Sequence, residues 1–94
     1  MDEKFYTYVL YSKNRAKVYI GHTNNLIRRF KQHNSGYVLS TKPYRPYSLV
    51  YYEELISKKE AVKREKELKT TMGRRYIKSL LLHGNIKKFV PSKI

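Results

Sequence analysis

Five side chains of this sequence are of types that could do chemistry on a charged group: Tyr8, Tyr19, Arg29, His33 and Glu65. The tyrosines stand eleven residues apart, Arg29 and His33 one helical turn apart, and Glu65 thirty-two residues beyond His33. A phenol stacks, donates or accepts, and becomes a base only where nearby cations favour phenolate over its free pKa near ~10. A guanidinium fork grips an oxyanion on two atoms at once. A carboxylate on an apolar helix face must be paired, protonated or bound to a metal, because an unpaired buried charge costs several kcal/mol. Each residue also has a plainer reading. Strand tyrosines usually pack with the hydroxyl at the rim, an arginine stem lies on the core with its head in water, and Glu65 could form a core-edge salt bridge.

The elements that must position these groups are readable. Phe5 to Tyr11 is β-branched and aromatic on both alternating faces, the pattern of a strand covered on both sides and hence central. Lys13-Asn14-Arg15 is a polar turn, and Lys17 to Gly21 pairs back as a hairpin that puts Tyr8 and Tyr19 on one face. Thr23 or Asn24 then caps a helix reaching about Asn34, with Gly36 as its stop. Tyr37 to Pro46, with two prolines and little periodicity, is a loop, and Ser48 to Leu55 a third strand. Ser57-Lys-Lys-Glu60 matches a capping box and opens a helix to about Leu68. A last helix, Arg74 to Leu82, carries Tyr76, Ile77, Leu80 and Leu81 at helical spacing, with His83 as a cap residue beside Gly84. The order is β-β-α-β-α-α, a small α/β domain with a three-stranded sheet over residues 1–84, followed by a basic tail at 85–94.

Helical projection sorts the charges. In the first helix Leu26, Ile27 and Phe30 form the apolar face, Arg28, Lys31 and Gln32 lie opposite, and Arg29 and His33 flank the apolar face. Arg28 and Lys31 therefore read as a solvated face that meets phosphates nonspecifically, whereas Arg29 aims across the sheet. In the second helix Glu65 falls inside the stripe of Ala61, Val62 and Leu68. Gly21, at a strand end just before a helix start, lets a phosphate approach the backbone and its free amides. Glu54 reads chiefly as one half of a surface ion pair.

Composition narrows the partners. Ninety-four residues with 40% hydrophobic content suit one modest core. Twenty-one Lys and Arg against seven Asp and Glu give a net charge of +14, for which a polyanion is the natural partner and an anionic membrane surface a weaker one. With no cysteine, disulfides and thiolate metal sites are excluded. No apolar run is long enough to span a bilayer and no signal-peptide order opens the chain, so a cytoplasmic protein is expected. No histidine pair has zinc-hydrolase spacing, and neither a phosphate-binding Gly-rich loop nor a Ser/His/Asp set is present.

With these residues in view, the sequence resembles the GIY-YIG nuclease superfamily, in its small single-domain branch, related to the nuclease module of bacterial excision-repair incision proteins and of intron homing endonucleases. Tyr19-Ile20-Gly21 matches the second half of that name, and Tyr6-Thr7-Tyr8 stands at the first, with Tyr6 in place of the glycine. Tyr19-Ile20-Gly21-x-Thr23-x-Asn25-Leu26-x-x-Arg29-x-x-x-His33 follows the family's helix pattern, and Arg64-Glu65-Lys66 resembles the segment with its metal-binding glutamate. The match runs from about Tyr6 to Lys69.

The resemblance implies a divalent-metal-dependent endonuclease that hydrolyses DNA phosphodiesters, in repair or recombination. It implies Tyr8, Tyr19, Arg29, His33 and Glu65 as the catalytic set, and Glu65 as the one protein carboxylate on a Mg²⁺ or Mn²⁺ ion. Gly21, His22, Thr23, Asn25, Arg28, Lys31 and Arg64 would contact the nucleic acid, DNA more than RNA, and a partner protein could supply specificity. The competing expectation is a non-catalytic DNA- or RNA-binding module with the same fold.

Overall fold

In the computed structural model, which describes residues 4–82, strand β1 (Phe5–Ser12) lies between β2 (Lys17–Thr23) and β3 (Ser48–Leu55) in one antiparallel sheet of order β2-β1-β3. Its two-faced pattern demanded that place: Tyr8, Val9 and Leu10 are all buried, on alternating sides. The hairpin register sets Val9 against Ile20, Tyr8 against Gly21 and Leu10 against Tyr19. Tyr8 and Tyr19 thus share a face as diagonal neighbours.

Helix α1 (Leu26–Ser35) covers that face, while α2 (Lys58–Leu68) and α3 (Thr71–Leu82) cover the other. Around α1 the core is Tyr8, Leu10 and Tyr47, flanked by Tyr19, Leu26 and Phe30. Behind α2 and α3 it is Val9, Ile20, Val50, Tyr51, Leu68 and Ile77. The β1–β3 register slips between Val9 and Leu10. This bulge lets consecutive residues Val50 and Tyr51 join one core. Thr7 donates to the carbonyl of Ala61 at 2.8 Å, tying α2 to the central strand.

The observed order, β-β-α-β-α-α with an antiparallel three-stranded sheet, is the expected α/β fold. Three local details differ from expectation. Asn25, not Thr23 or Asn24, caps α1: its extended backbone lets Oδ1 accept from the Arg28 amide at 3.0 Å, while Thr23 Oγ1 accepts from the Asn25 amide. Ile27 is 69% exposed, because α1 turns His33 rather than Ile27 into the core. Helix α3 starts three residues before Arg74, where Thr70 Oγ1 accepts from the Gly73 amide. Gly36 ends α1 in the left-handed region (φ 88°), and Ser57 caps α2 by accepting from the Glu60 amide, both as the sequence indicates. His83, Gly84 and the tail from Asn85 to Ile94 lie outside the described residues.

A short 3-10 turn, Lys42–Tyr44, interrupts the loop between α1 and β3. Asn34 clasps the loop's far end, donating to the Tyr47 carbonyl at 3.0 Å and accepting from the Tyr47 amide at 2.7 Å. That clasp holds the buried Thr41 against α1.

Candidate active site

Gly21 is where the two tyrosines meet β2. A Cβ on it would lie 2.8 Å from the Tyr8 hydroxyl oxygen and 3.0 Å from a Tyr19 ring carbon. Only a residue without a side chain lets both rings lie over the strand, so this glycine serves close approach, not an unusual φ. The rings of Tyr8 and Tyr19 are 6.2 Å apart, and that of Tyr19 is 4.7 Å from His33.

His33 is fully buried, not flanking the apolar face as the projection suggests. Its hydrogen bonds fix its tautomer. Thr41 Oγ1 donates to the Val38 carbonyl and so accepts from His33 Nδ1–H at 2.8 Å. Nε2 is left with a lone pair, which accepts from the Tyr8 hydroxyl at 2.9 Å. Burial, with the Arg29 guanidinium alongside, lowers the His33 pKa to about 4, so the ring is neutral at physiological pH. Burial and the neighbouring Tyr19 raise Tyr8 well above the usual tyrosine range, so it remains a phenol.

Arg29 is half-buried beside Tyr8 and donates to Gln32 Oε1 at 2.9 Å. Gln32, projected to solvent in the sequence, is instead the brace of this guanidinium. Arg28 is exposed, yet it too faces the cleft.

Glu65 comes from the opposite layer. Its helix, α2, covers the far side of the sheet, yet the carboxylate lines the same cleft as Tyr8 and Tyr19, beside the edge strand β2. It is 17% exposed and both oxygens are engaged: Oε1 accepts from His22 Nδ1 at 2.5 Å, Oε2 from the Lys69 ammonium at 2.6 Å. Burial alone would raise its pKa, but Lys69 and His22 outweigh that and hold it below the ordinary glutamate value.

The result is a cleft of about 640 Å³ lined by Tyr8, Tyr19, Gly21, His22, Thr23, Arg28, Arg29 and Glu65, with Lys58 at the start of α2. His33 backs it from the core. Three residues expected to contact substrate are not brought here. Asn25 lines a neighbouring groove beside Tyr6 and Tyr52, and Lys31 is exposed on α1 outside the cleft. Arg64 turns to the far face, donating to the buried Glu53 at 2.8 Å and to Glu67 at 3.2 Å. Glu53 also accepts from the Tyr51 hydroxyl, and Glu54 pairs with Lys4 at 3.1 Å.

A divalent ion suits this donor set in one form only. Among the described residues Glu65 is the one carboxylate lining the cleft, and no three His, Asp or Glu side chains converge on a point. One hard carboxylate oxygen, completed by water and a substrate phosphate, is an arrangement Mg²⁺ accepts and an all-protein cage is not needed. His22 stands on one Glu65 oxygen and Lys69 on the other, so a metal at Glu65 would share an oxygen with one of these donors or take its place.

The model of the GIY-YIG catalytic domain matches residues 4–78, a span that includes Tyr8, Tyr19, Arg29, His33 and Glu65. The chain belongs to the GIY-YIG family. It is 38% identical over 78 residues to a UPF0213 protein of Staphylococcus haemolyticus, covering 82% of this chain and 94% of that one. To a UPF0213 protein of Limosilactobacillus reuteri it is 39% identical, with 88% of each chain covered. Among solved structures, the NMR structure of a UPF0213 protein from Bacillus halodurans superposes with a TM-score of 0.50 at 32% identity, covering 82% and 84% of the two chains. The GIY-YIG domain is the catalytic domain of a nuclease family whose members act on nucleic acid, typically with a divalent metal. Where the family name has its first glycine this chain has Tyr6, whose ring meets Tyr52 edge-on at 6.1 Å.

Proposed function

We propose that this GIY-YIG protein is an endonuclease that hydrolyses DNA phosphodiester bonds using one Mg²⁺ or Mn²⁺ ion held by Glu65. The observation that carries this reading is the ionised Glu65 carboxylate, lining one cleft with Tyr8, Tyr19 and the cations Arg28, Arg29 and Lys58. Lys58, Arg28 and Arg29 draw the sugar-phosphate backbone into that cleft.

Bound at Glu65, the metal supplies Lewis-acid stabilisation of charge on the phosphoryl group. The chain's own groups do the rest. Arg29, held by Gln32, presents its fork to the non-bridging oxygens as negative charge grows on them. Tyr19 accepts a hydrogen bond from the attacking water and relays its proton, taking it on the phenol oxygen while the hydroxyl proton passes to solvent. A new oxygen–phosphorus bond forms to that water, and the ester oxygen on the opposite side leaves with a proton from solvent. Tyr8 is not the base, because its proton is committed to His33 and its pKa lies far above neutrality. It fixes the Tyr19 ring over Gly21 instead.

A specific observation favours a second reading. Glu65 is fully paired by His22 and Lys69, a set that is complete without metal and would serve a DNA- or RNA-binding module. Incubating the purified protein with branched, single-stranded and duplex DNA, with and without Mn²⁺, separates the two. Nicking that needs Mn²⁺ supports the enzyme, and binding to the same substrates without any nicking supports the module.

A further inference from the structure

Lys69 has no place in the reaction just described, yet it makes one of the two contacts on its central carboxylate. One helical turn after Glu65, it is the i+4 partner on α2, and its ammonium lies 2.6 Å from Oε2. The two partners are unlike in exposure: Glu65 is 17% exposed and needs a counter-charge, whereas Lys69 is 44% exposed and can withdraw into water. Among the described residues Lys69 is the one Lys or Arg paired with Oε2, and Arg29 is turned to Gln32. The oxygen on the His22 side is held by a ring on β2, so Oε2 is the one whose donor is free to leave.

We propose that Lys69 is a surrogate for the divalent ion, a positioning residue that occupies Glu65 Oε2 until a metal and a nucleic-acid phosphate arrive together. This rests on Glu65 being the metal ligand. A metal entering alone meets the ammonium's positive charge at Oε2 and gains only one protein carboxylate. A phosphodiester changes both sides of that exchange, since its oxygen joins the metal's shell and its charge gives the released ammonium a new partner. Metal and nucleic acid then bind cooperatively, and the coupling runs equally in both directions. The lysine orients the carboxylate before nucleic acid binds, and it suppresses metal uptake without substrate.

The test is a Mn²⁺ titration of the full chain, followed by the electron paramagnetic resonance signal of free Mn²⁺. It is run with and without a phosphorothioate oligonucleotide that resists cleavage. Lys69→Met should bind Mn²⁺ alone on the order of tenfold tighter than the unaltered protein, a coupling of ordinary allosteric size. Lys69→Gln should follow it, and Lys69→Arg should retain the weak affinity. The tightening caused by the oligonucleotide should shrink in Lys69→Met and Lys69→Gln. Circular dichroism shows whether each variant is folded, and either neutral variant suffices for the comparison. Unchanged Mn²⁺ affinity in the neutral variants, or an undiminished oligonucleotide effect, overturns the role of Lys69. A Glu65→Gln protein that binds Mn²⁺ like the unaltered chain overturns the metal assignment itself. Loss of binding in Glu65→Gln with unaltered behaviour of Lys69→Met overturns the lysine alone.

Discussion

The Tyr8 hydroxyl donates to Nε2 of His33 across 2.9 Å inside the core. The pair links the central strand to α1, and the direction of its proton decides the chemistry of both residues. His33 must stay neutral to accept, and Tyr8 must stay protonated to donate.

Stability should therefore fall in mild acid. The His33 pKa is about 4 in the folded protein against about 6.5 in an unfolded chain, so the unfolded state binds the proton first. The contribution is fully present above about pH 6.5 and declines as pH drops toward 4, by an amount on the order of 3 kcal/mol. Thermal melts from pH 8 to 4 should show this slope, and His33→Gln should flatten it over that window. An equal slope in the variant assigns the acid sensitivity elsewhere.

Gly21→Ala should damage activity more than fold. Its methyl would meet the Tyr8 hydroxyl oxygen at 2.8 Å and the Tyr8 Cζ at 2.9 Å, so both tyrosines must shift. Overpacking of this kind costs typically about 1–3 kcal/mol. Melting and nicking measured on one preparation should show a folded protein with little cleavage. Full activity would mean the tyrosine placement is not needed.

Arg28 and Arg29, adjacent in sequence, should separate in kinetics. Arg29 is half-buried and braced by Gln32, while Arg28 is exposed at the cleft edge. Arg29→Ala should lose roughly 10²-fold or more in cleavage rate, as for a lost oxyanion donor. Arg28→Ala should chiefly weaken binding and reduce the salt dependence by about one phosphate contact. Comparable rate losses from both would contradict the different roles.

The sequence carried much of this because its signals are local. The two-faced pattern of Phe5 to Tyr11 placed the central strand, the hairpin put Tyr8 and Tyr19 on one face, and the stripe of Ala61 and Leu68 marked Glu65 as a carboxylate needing a partner. What escaped depends on long-range contacts. Thr41, which sets the His33 tautomer, lies in an aperiodic loop whose position comes from the Asn34 clasp on Tyr47. Arg64 was placed with its neighbour Glu65, but a helix turns 100° between them, and the buried Glu53 on β3 claims it from the other side. Helical projection puts Ile27 on the apolar face, whereas the Tyr8 and Thr41 hydrogen bonds make His33 the better buried group. Lys69 is legible from its place four residues after Glu65, the spacing of an ion pair on one helix face.

Metal-dependent hydrolysis is proposed to rest on Glu65. The most direct measurement is the nicking rate of a DNA substrate in Mn²⁺ by the unaltered protein and by Glu65→Gln, with DNA affinity measured alongside. Glu65→Gln should bind DNA with comparable affinity, remain folded and show no Mn²⁺-dependent nicking. Cleavage at the unaltered rate by this variant would contradict the account.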